Sequence, residues 1–433
     1  MMSYRHITDY CMQETLGVHG LSAEEISAIM DDLKTGFNKI KSRKFSGANP
    51  ILDITKQDED LEELETLAEA IRRRFNHVLV VGSGGSGLSG SALIAMSPCV
   101  SPTFDFLDNI DPHMLDDIMA KIQIENTCFI VISKSGKTIE TLSQTYALIG
   151  RIKKKIGRTA LPAQFIMITE PEEAEGQNPM RQLAREYNMR VLDHKKDIGG
   201  RFSILTNVGL LPAIIAGIDV RALRRGAASV VRQLEEAETP ASFAPALGAA
   251  IQYAFYQRSY NISVLFPYGQ RLSGLSAWYR QCWAESLGKK GKGTTPVCAM
   301  GTTDQHSQLQ LYLSGPKDKI FNMLTIKREG SGDDIEVLNS EHPDAFYMID
   351  KTLGDVMAAQ QKATIETLIH NRCPTRVIEI EKLDEEHFGA LIMHFMLEIM
   401  FISFLFEINP FDQPAVEESK KLTRKYLLAE PCL

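Results

Sequence analysis

Two short loops in the first third of the chain have the composition of anion sites. Gly82-Ser-Gly-Gly-Ser-Gly87 and Ser133-Lys-Ser-Gly-Lys-Thr138 each follow an apolar run and precede a helical pattern. Backbone N–H groups at a helix start, with hydroxyls beside them, suit a phosphate. The first loop also satisfies GxGxxG, so it admits a dinucleotide, for which an acidic residue is expected about 20 positions on. Asp105 and Asp108 stand near there. A purely structural tight turn is the third reading. The second loop carries the Gly136-Lys137-Thr138 of a P-loop, but Val131 replaces the glycine required five residues before Gly136. Nucleotide binding fails on that spacing. Three hydroxyls, two lysines and free amides remain, and these suit a compact monoanion or dianion on a helix dipole.

Further along, Gly199-Gly-Arg-Phe-Ser203 puts Arg201 in a glycine-flanked turn. There the backbone can approach a ligand closely, and a fixed cation can face an oxyanion. Glu285 lies in the last turn of the aromatic stretch Trp278–Leu287, and a carboxylate among aromatics can serve as a base near neutrality. His306 sits in the polar loop Gly301-Thr-Thr-Asp-Gln-His306-Ser, a better acid–base position than one on an apolar helix. His394 and Glu398 have the i,i+4 spacing of metal ligands. Without a third ligand in any motif they read as core, and no metal is expected.

These residues must be carried by alternating strands and helices. Continuous apolar runs predict strands at His77–Val81, Thr127–Ile132, Phe165–Thr169, Ile262–Phe266, Phe321–Ile326 and Val377–Ile380. Such runs between helices indicate parallel sheets covered on both faces. The expected fold is α/β, with two three-layer αβα sandwiches over 45–185 and 200–433 and a helical N-terminal arm over 1–44. Ser22–Glu25 is a capping box with Leu21 and Ile26 as its staple, and Asp58–Arg74 repeats apolar residues at helical spacing. Arg201–Ala216 is expected as one long apolar helix. Further helices are expected over Leu88–Met96, Ile139–Ile152, Ser273–Leu287, Gln305–Ser314, His387–Phe406 and Val416–Leu428. Glu170–Glu175 reads as a solvated loop or a helix start.

The 433 residues carry a formal charge of −8 and are 44% hydrophobic. That composition excludes a disordered chain and argues against non-specific nucleic-acid binding. Seven scattered cysteines form no CxxC pair, which points to a reducing cytoplasm rather than a disulfide framework. No signal-peptide pattern is expected at the N-terminus. Ala390–Phe406 is apolar enough for a membrane, but His394 and Glu398 near its centre point to a helix buried in a globular domain.

GSGGSGLSG (82–90), ISKSGKTIET (132–141), GGRFS (199–203), ESLGK (285–289), GTTDQHS (301–307) and FDQPAVEESK (411–420) occur in one order. In that order they resemble the glucose-6-phosphate isomerase (phosphoglucose isomerase) family of the sugar isomerase domain superfamily, in its shorter bacterial form. The resemblance implies reversible aldose–ketose isomerisation of glucose 6-phosphate and fructose 6-phosphate through an enediol. It implies that Ser86, Ser133, Lys134, Ser135 and Thr138 hold the phosphate beside Gly85. Glu285 would move the proton between C1 and C2, and Arg201 would steady the enediol. His306 and Lys420 would serve ring opening, and Gln281 and Gln413 would line the site. It further implies no cofactor, a cytoplasmic enzyme of glycolysis and gluconeogenesis, and a homodimer in which His306 reaches the partner's site. Lys196, Asn207 and Ala415 depart from the family's usual residues, but none of the three removes a functional side chain.

Overall fold

Residues 4–97, 101–172, 178–336 and 343–429 are described by a computed structural model. Cys99, Cys432 and Glu173–Glu175 lie outside the described residues. Ten strands form two five-stranded sheets. They are β1 (Arg5–Ile7), β2 (His77–Val81), β3 (Thr103–Leu107), β4 (Thr127–Ile132), β5 (Phe165–Thr169), β6 (Arg190–Asp193), β7 (Ile262–Pro267), β8 (Thr295–Cys298), β9 (Lys319–Ile326) and β10 (Thr375–Ile380). The first sheet runs β3-β2-β4-β5-β6 with every pair parallel. The second runs β1-β10-β9-β7-β8 and is parallel except for the antiparallel edge strand β1.

The six strands predicted from apolar runs are all present. Their side chains show why the runs are continuous rather than alternating. In the first sheet Val78, Val80, Ile130, Ile132, Ile166 and Ile168 join one apolar cluster. Their neighbours Leu79, Val81, Phe129, Val131, Phe165 and Met167 join another. Successive side chains point to opposite faces, and both faces are covered by helices, so every position must be apolar.

The other four strands, β1, β3, β6 and β8, are missing from the sequence reading. All four are sheet edges. An edge strand pairs on one side only and is short and partly solvated, so it lacks the continuous apolar signature. β8 even carries Pro296, which a central strand would exclude. Strand β1 also corrects the expectation of a purely helical N-terminal arm, because Arg5 pairs opposite Glu379 in the second sheet.

Two predicted helices are each divided in the structure. Arg201–Ala216 is not one helix. A 3-10 segment, Gly200–Leu205, leads to extended Thr206, whose side chain caps a separate helix, Asn207–Ile215. Gln305–Ser314 likewise divides into a 3-10 turn, Thr303–Gln305, and the helix Leu309–Ser314. The Ser22–Glu25 capping box is present in both directions, and Ser273–Leu287 is helical over its predicted span.

The Glu385–Leu405 helix is long and apolar enough to cross a membrane, yet 89% of its most apolar 18-residue window is buried inside the molecule. It packs against the Val220–Glu236 and Ala244–Gln257 helices. Its two buried ionisable residues, His394 and Glu398, are accounted for. Arg376 of β10 donates to both Glu398 oxygens at 2.7 and 2.9 Å, and both side chains are fully buried. His394 Nε2 lies 3.1 Å from Glu398 Oε2, and His394 Nδ1 lies 2.7 Å from the Tyr4 hydroxyl. Burial opposes ionisation of Glu398, but Arg376 and His394 outweigh it and hold its pKa below the usual range. Burial also keeps His394 neutral, so Nε2 donates to Glu398 and Nδ1 accepts from Tyr4. Among the described residues no cluster of three metal-ligating side chains accompanies this pair; it is core.

Removing one partner of this pair leaves a buried charge unmet. Arg376→Met is expected to cost about 3–5 kcal/mol in urea denaturation, while Arg376→Met with Glu398→Leu costs less than the single change. A single variant within about 1 kcal/mol of the parent would contradict this.

Candidate active site

Both anion-type loops leave the carboxyl edge of the first sheet. β2 and β4 are parallel neighbours, with Val81 opposite Val131, so the segments that follow them emerge side by side. Open α/β sheets bind ligands at that edge. After β2, the chain turns into the Gly85–Ile94 helix, whose N-cap Gly84 contributes no side chain. Ser86 is the second residue of that helix. A β-carbon at Gly85 would lie 2.3 Å from the Gly200 carbonyl oxygen and 2.8 Å from the Arg201 nitrogen. Only glycine permits this approach, and it brings the first loop against the Gly199–Ser203 turn.

After β4, Ser133 and Thr138 hydroxyls lie 2.9 Å apart at the start of the Ile139–Ile156 helix, whose N-cap is Thr138. The Ser135 hydroxyl accepts from the Lys137 amide at 3.2 Å. Lys134 Nζ donates to the Lys196 carbonyl at 2.6 Å and pairs with Glu170 at 3.4 Å. Gly136 has φ +64, and a β-carbon there would strike Asn178. Asn178 itself caps the Pro179–Tyr187 helix and donates to Thr169 and the Glu170 carbonyl. The loop is thus braced from the neighbouring strand β5. The result is a concentration of hydroxyls at a helix N-terminus, where the macrodipole favours an anion.

Arg201 forms the floor between the halves, with its side chain only 2% exposed. Its five N–H donors meet five acceptors. Nε donates to Ser286 Oγ at 2.8 Å. Nη1 donates to Glu285 Oε2 at 3.3 Å and Gln413 Oε1 at 2.8 Å. Nη2 donates to the Asp412 carbonyl at 3.0 Å and to that of Pro410. Burial pulls the Arg201 pKa below its usual value, opposed by the Glu285 and Asp412 carboxylates; an arginine remains charged in such a setting. Trp278 Nε1 donates to the Arg201 carbonyl at 3.0 Å and fixes the turn itself.

Glu285 rises from this floor with its side chain 37% exposed. One turn earlier on the Ser273–Leu287 helix, Gln281 Nε2 donates to Glu285 Oε1 at 3.0 Å. Its i,i+4 position places it on the same face. A β-carbon at Gly84 would come within 2.9 Å of that Gln281 nitrogen, so the glycine loop and the carboxylate share one cleft. A carboxylate that reaches solvent while a guanidinium holds its other side can take a proton from carbon beside a developing oxyanion.

Four predicted residues, Arg201, Glu285, Gln281 and Gln413, are therefore one hydrogen-bonded cluster. His306 and Lys420 are not part of it. His306 follows the Thr303–Gln305 turn, and Lys420 pairs with Glu417 at 2.6 Å on an exposed helix, Glu417–Leu428. Among the described residues no hydrogen bond or ion pair joins either side chain to Arg201 or Glu285.

Of the two acidic residues that follow the glycine loop, Asp108 stands just past β3, where its β-carbon would lie 3.2 Å from one added at Gly87. Asp105 lies in the middle of β3, opposite Leu79, and faces His77 at 3.3 Å, away from the carboxyl edge. Sequence reasoning missed Ser286, Trp278 and Asn178. The first two lay inside or beside quoted motifs, but nothing in residue type announces a side chain that serves another side chain.

A family model described as phosphoglucose isomerase matches residues 65–430. A probable glucose-6-phosphate isomerase of Methanococcus maripaludis is 32% identical, with 97% of this chain and 93% of that protein covered. A glucose-6-phosphate isomerase of Carboxydothermus hydrogenoformans is 35% identical over 84% of this chain and 82% of its own length. Among solved structures, a hypothetical protein of Thermus thermophilus superposes with TM-score 0.88 at 29% identity, covering 98% of this chain and all of that one. A glucose-6-phosphate isomerase of Chlamydia trachomatis shares the fold with TM-score 0.73 at 20% identity, over 93% and 83% of the two chains. With its motifs in order, its cleft assembled from them and relatives matched along nearly its whole length, the chain belongs to the phosphoglucose isomerase family.

Proposed function

We propose that the chain interconverts glucose 6-phosphate and fructose 6-phosphate by proton transfer through an enediol, in glycolysis and gluconeogenesis. The observation that carries this reading is the Glu285–Arg201 contact of 3.3 Å, in a cleft bounded by the glycine loop. In the open-chain aldose, the Glu285 carboxylate removes the C2 proton. The freed electron pair forms the C1–C2 double bond, and negative charge moves onto O1 beside Arg201. The O2 hydroxyl proton passes to O1, the charge moves to O2, and return of the proton from Glu285 to C1 then yields the ketose with its C2 carbonyl. Ser86 beside Gly85, with Ser133, Lys134, Ser135 and Thr138, anchors the phosphate, whose binding energy orients the reacting end. Gln281 and Gln413 line the cleft. His306 and Lys420 assist ring opening, a step that does not require contact with Glu285.

The reading includes a homodimer in the cytoplasm, with His306 acting in the partner's cleft. Support comes from the Glu417–Leu428 helix, which buries none of its residues and exposes Leu422, Tyr426, Leu427 and Leu428. A second copy would cover such a surface. The five cysteines among the described residues are all unpaired, in keeping with a reducing compartment.

Three measurements test these assignments. Glu285→Gln keeps size and hydrogen bonding but removes the base. Its kcat should fall about 10²–10⁴-fold with substrate binding largely kept. A variant within a few-fold of the parent would mean that another group moves the proton. Ser133→Ala with Thr138→Ala should raise KM and also lower kcat, because a poorly anchored substrate reacts from the wrong geometry. Unchanged affinity for fructose 6-phosphate would remove that loop from the phosphate site.

For the dimer, His306→Ala and Glu285→Gln chains are unfolded and refolded together with differently sized tags. About half of the dimers are then mixed and have one intact site, so activity should return to about a quarter of wild type. Mixed dimers that stay at the level of the single variants would end the shared-site assignment.

A further inference from the structure

The loop that follows Glu285 grips the segment that holds Arg201. Lys289 Nζ lies 2.9 Å from Asp412 Oδ1 and also donates to the Asn409 carbonyl. Lys290 donates to the Glu407 carbonyl at 3.2 Å, and Lys292 to that of Phe406 at 2.8 Å. Three lysines thus meet the carbonyls just past the Glu385–Leu405 helix, where cations suit the helix end. Lys289 differs from the other two. Its side chain is only 10% exposed, and its two partners belong to the stretch that reaches the active site.

That stretch is itself ordered. Asn409 Nδ2 donates to Asp412 Oδ2 at 3.1 Å, and the Phe411 amide donates to Asn409 Oδ1 at 3.0 Å. On its other side the same five residues give Arg201 three of its acceptors, the carbonyls of Pro410 and Asp412 and the Gln413 amide oxygen. Lys289 therefore links Glu285, four residues before it, to the segment that fixes the guanidinium.

We infer that Lys289 is a positioning residue for the isomerisation: it clamps Asn409–Gln413 so that Arg201 stays in register with Glu285. The inference rests on the function proposed above. Its physical basis is competition for charge. While Lys289 neutralises the Asp412 carboxylate, Asp412 hydrogen-bonds Arg201 through its carbonyl only. Without the ammonium, that carboxylate would have Arg201 as its nearest strong cation and would draw the guanidinium away from Glu285. The Lys289 hydrogen bond holds the Asp412 carboxyl below its ordinary range, and burial pulls the Lys289 ammonium down from its own, offset by Asp412.

The test compares Lys289→Met and Lys289→Arg with the parent full-length protein. Four quantities are measured: kcat, KM for fructose 6-phosphate, melting temperature, and hydrogen exchange of a peptide spanning Asn409–Gln413. The methionine variant should lose about 10- to 100-fold in kcat, the scale of a misplaced reacting group. Its KM should stay within a few-fold and its melting temperature within a few degrees, with faster exchange confined to Asn409–Gln413. The arginine variant, which keeps the charge and two donors, should recover most of the kcat.

The inference is overturned if the methionine variant keeps its kcat, or if kcat and melting temperature collapse together with faster exchange throughout. Equal losses in the two variants would overturn it as well. Should the parent itself fail to isomerise fructose 6-phosphate, the functional reading falls on its own. Exchange at Asn409–Gln413 then decides the clamp: faster exchange in the methionine variant supports it, and unchanged exchange overturns it.

Discussion

A buried guanidinium is stable only if its donors are satisfied, because an unmet charge in a protein interior costs several kcal/mol (about 3–5 when one partner is removed). Arg201 meets this condition by drawing on two separate parts of the chain. Glu285 and Ser286 come from one helix, Gln413 and two carbonyls come from the segment beyond the last buried helix, and the arginine's own turn rests on Trp278. Gly85 then packs on the preceding peptide, a contact that no side chain would allow. The cleft exists because these segments cannot separate without exposing or orphaning that charge.

The same requirement sets the electrostatic character of the site. In this arrangement every Arg201 donor has a protein acceptor, so in the proposed reaction a substrate oxyanion would take over a donor from Glu285 or Gln413. Those two share Nη1 and both reach solvent, whereas Ser286 is fully buried. The exchangeable side of the guanidinium therefore faces the cleft and the permanent side faces the core. That polarity suits a group that stabilises charge transiently, since little reorganisation is needed when the charge appears.

Elsewhere the fold meets the same problem differently. Arg376 and Glu398 form a fully buried ion pair, with His394 and Tyr4 extending it toward the N-terminus. This network joins the edge strand β1, the second sheet and the most apolar helix, and it has no path to solvent. Both sites contain a carboxylate and a guanidinium. Burial on all sides encloses one of them, while Glu285 in the other remains partly exposed.

Strands buried on both faces were legible in the sequence, because a continuous apolar run has few other meanings. The four edge strands were not, since solvent on one side removes the constraint that writes the pattern. Thr206 was similarly opaque as a helix break: its backbone is extended there, and no proline or glycine marks the place in sequence. The motifs marked out the residues to which the proposed chemistry is assigned, because each places a particular side chain at a particular turn. What only tertiary structure decided is how they act together. Arg201 and Gln413 are 212 positions apart, and no local rule predicts that one will hydrogen-bond the other. Nor does residue type reveal Ser286 or Lys289 as supports. Their roles come from three-dimensional neighbours, and the need to satisfy a buried charge selects those neighbours after the chain has folded.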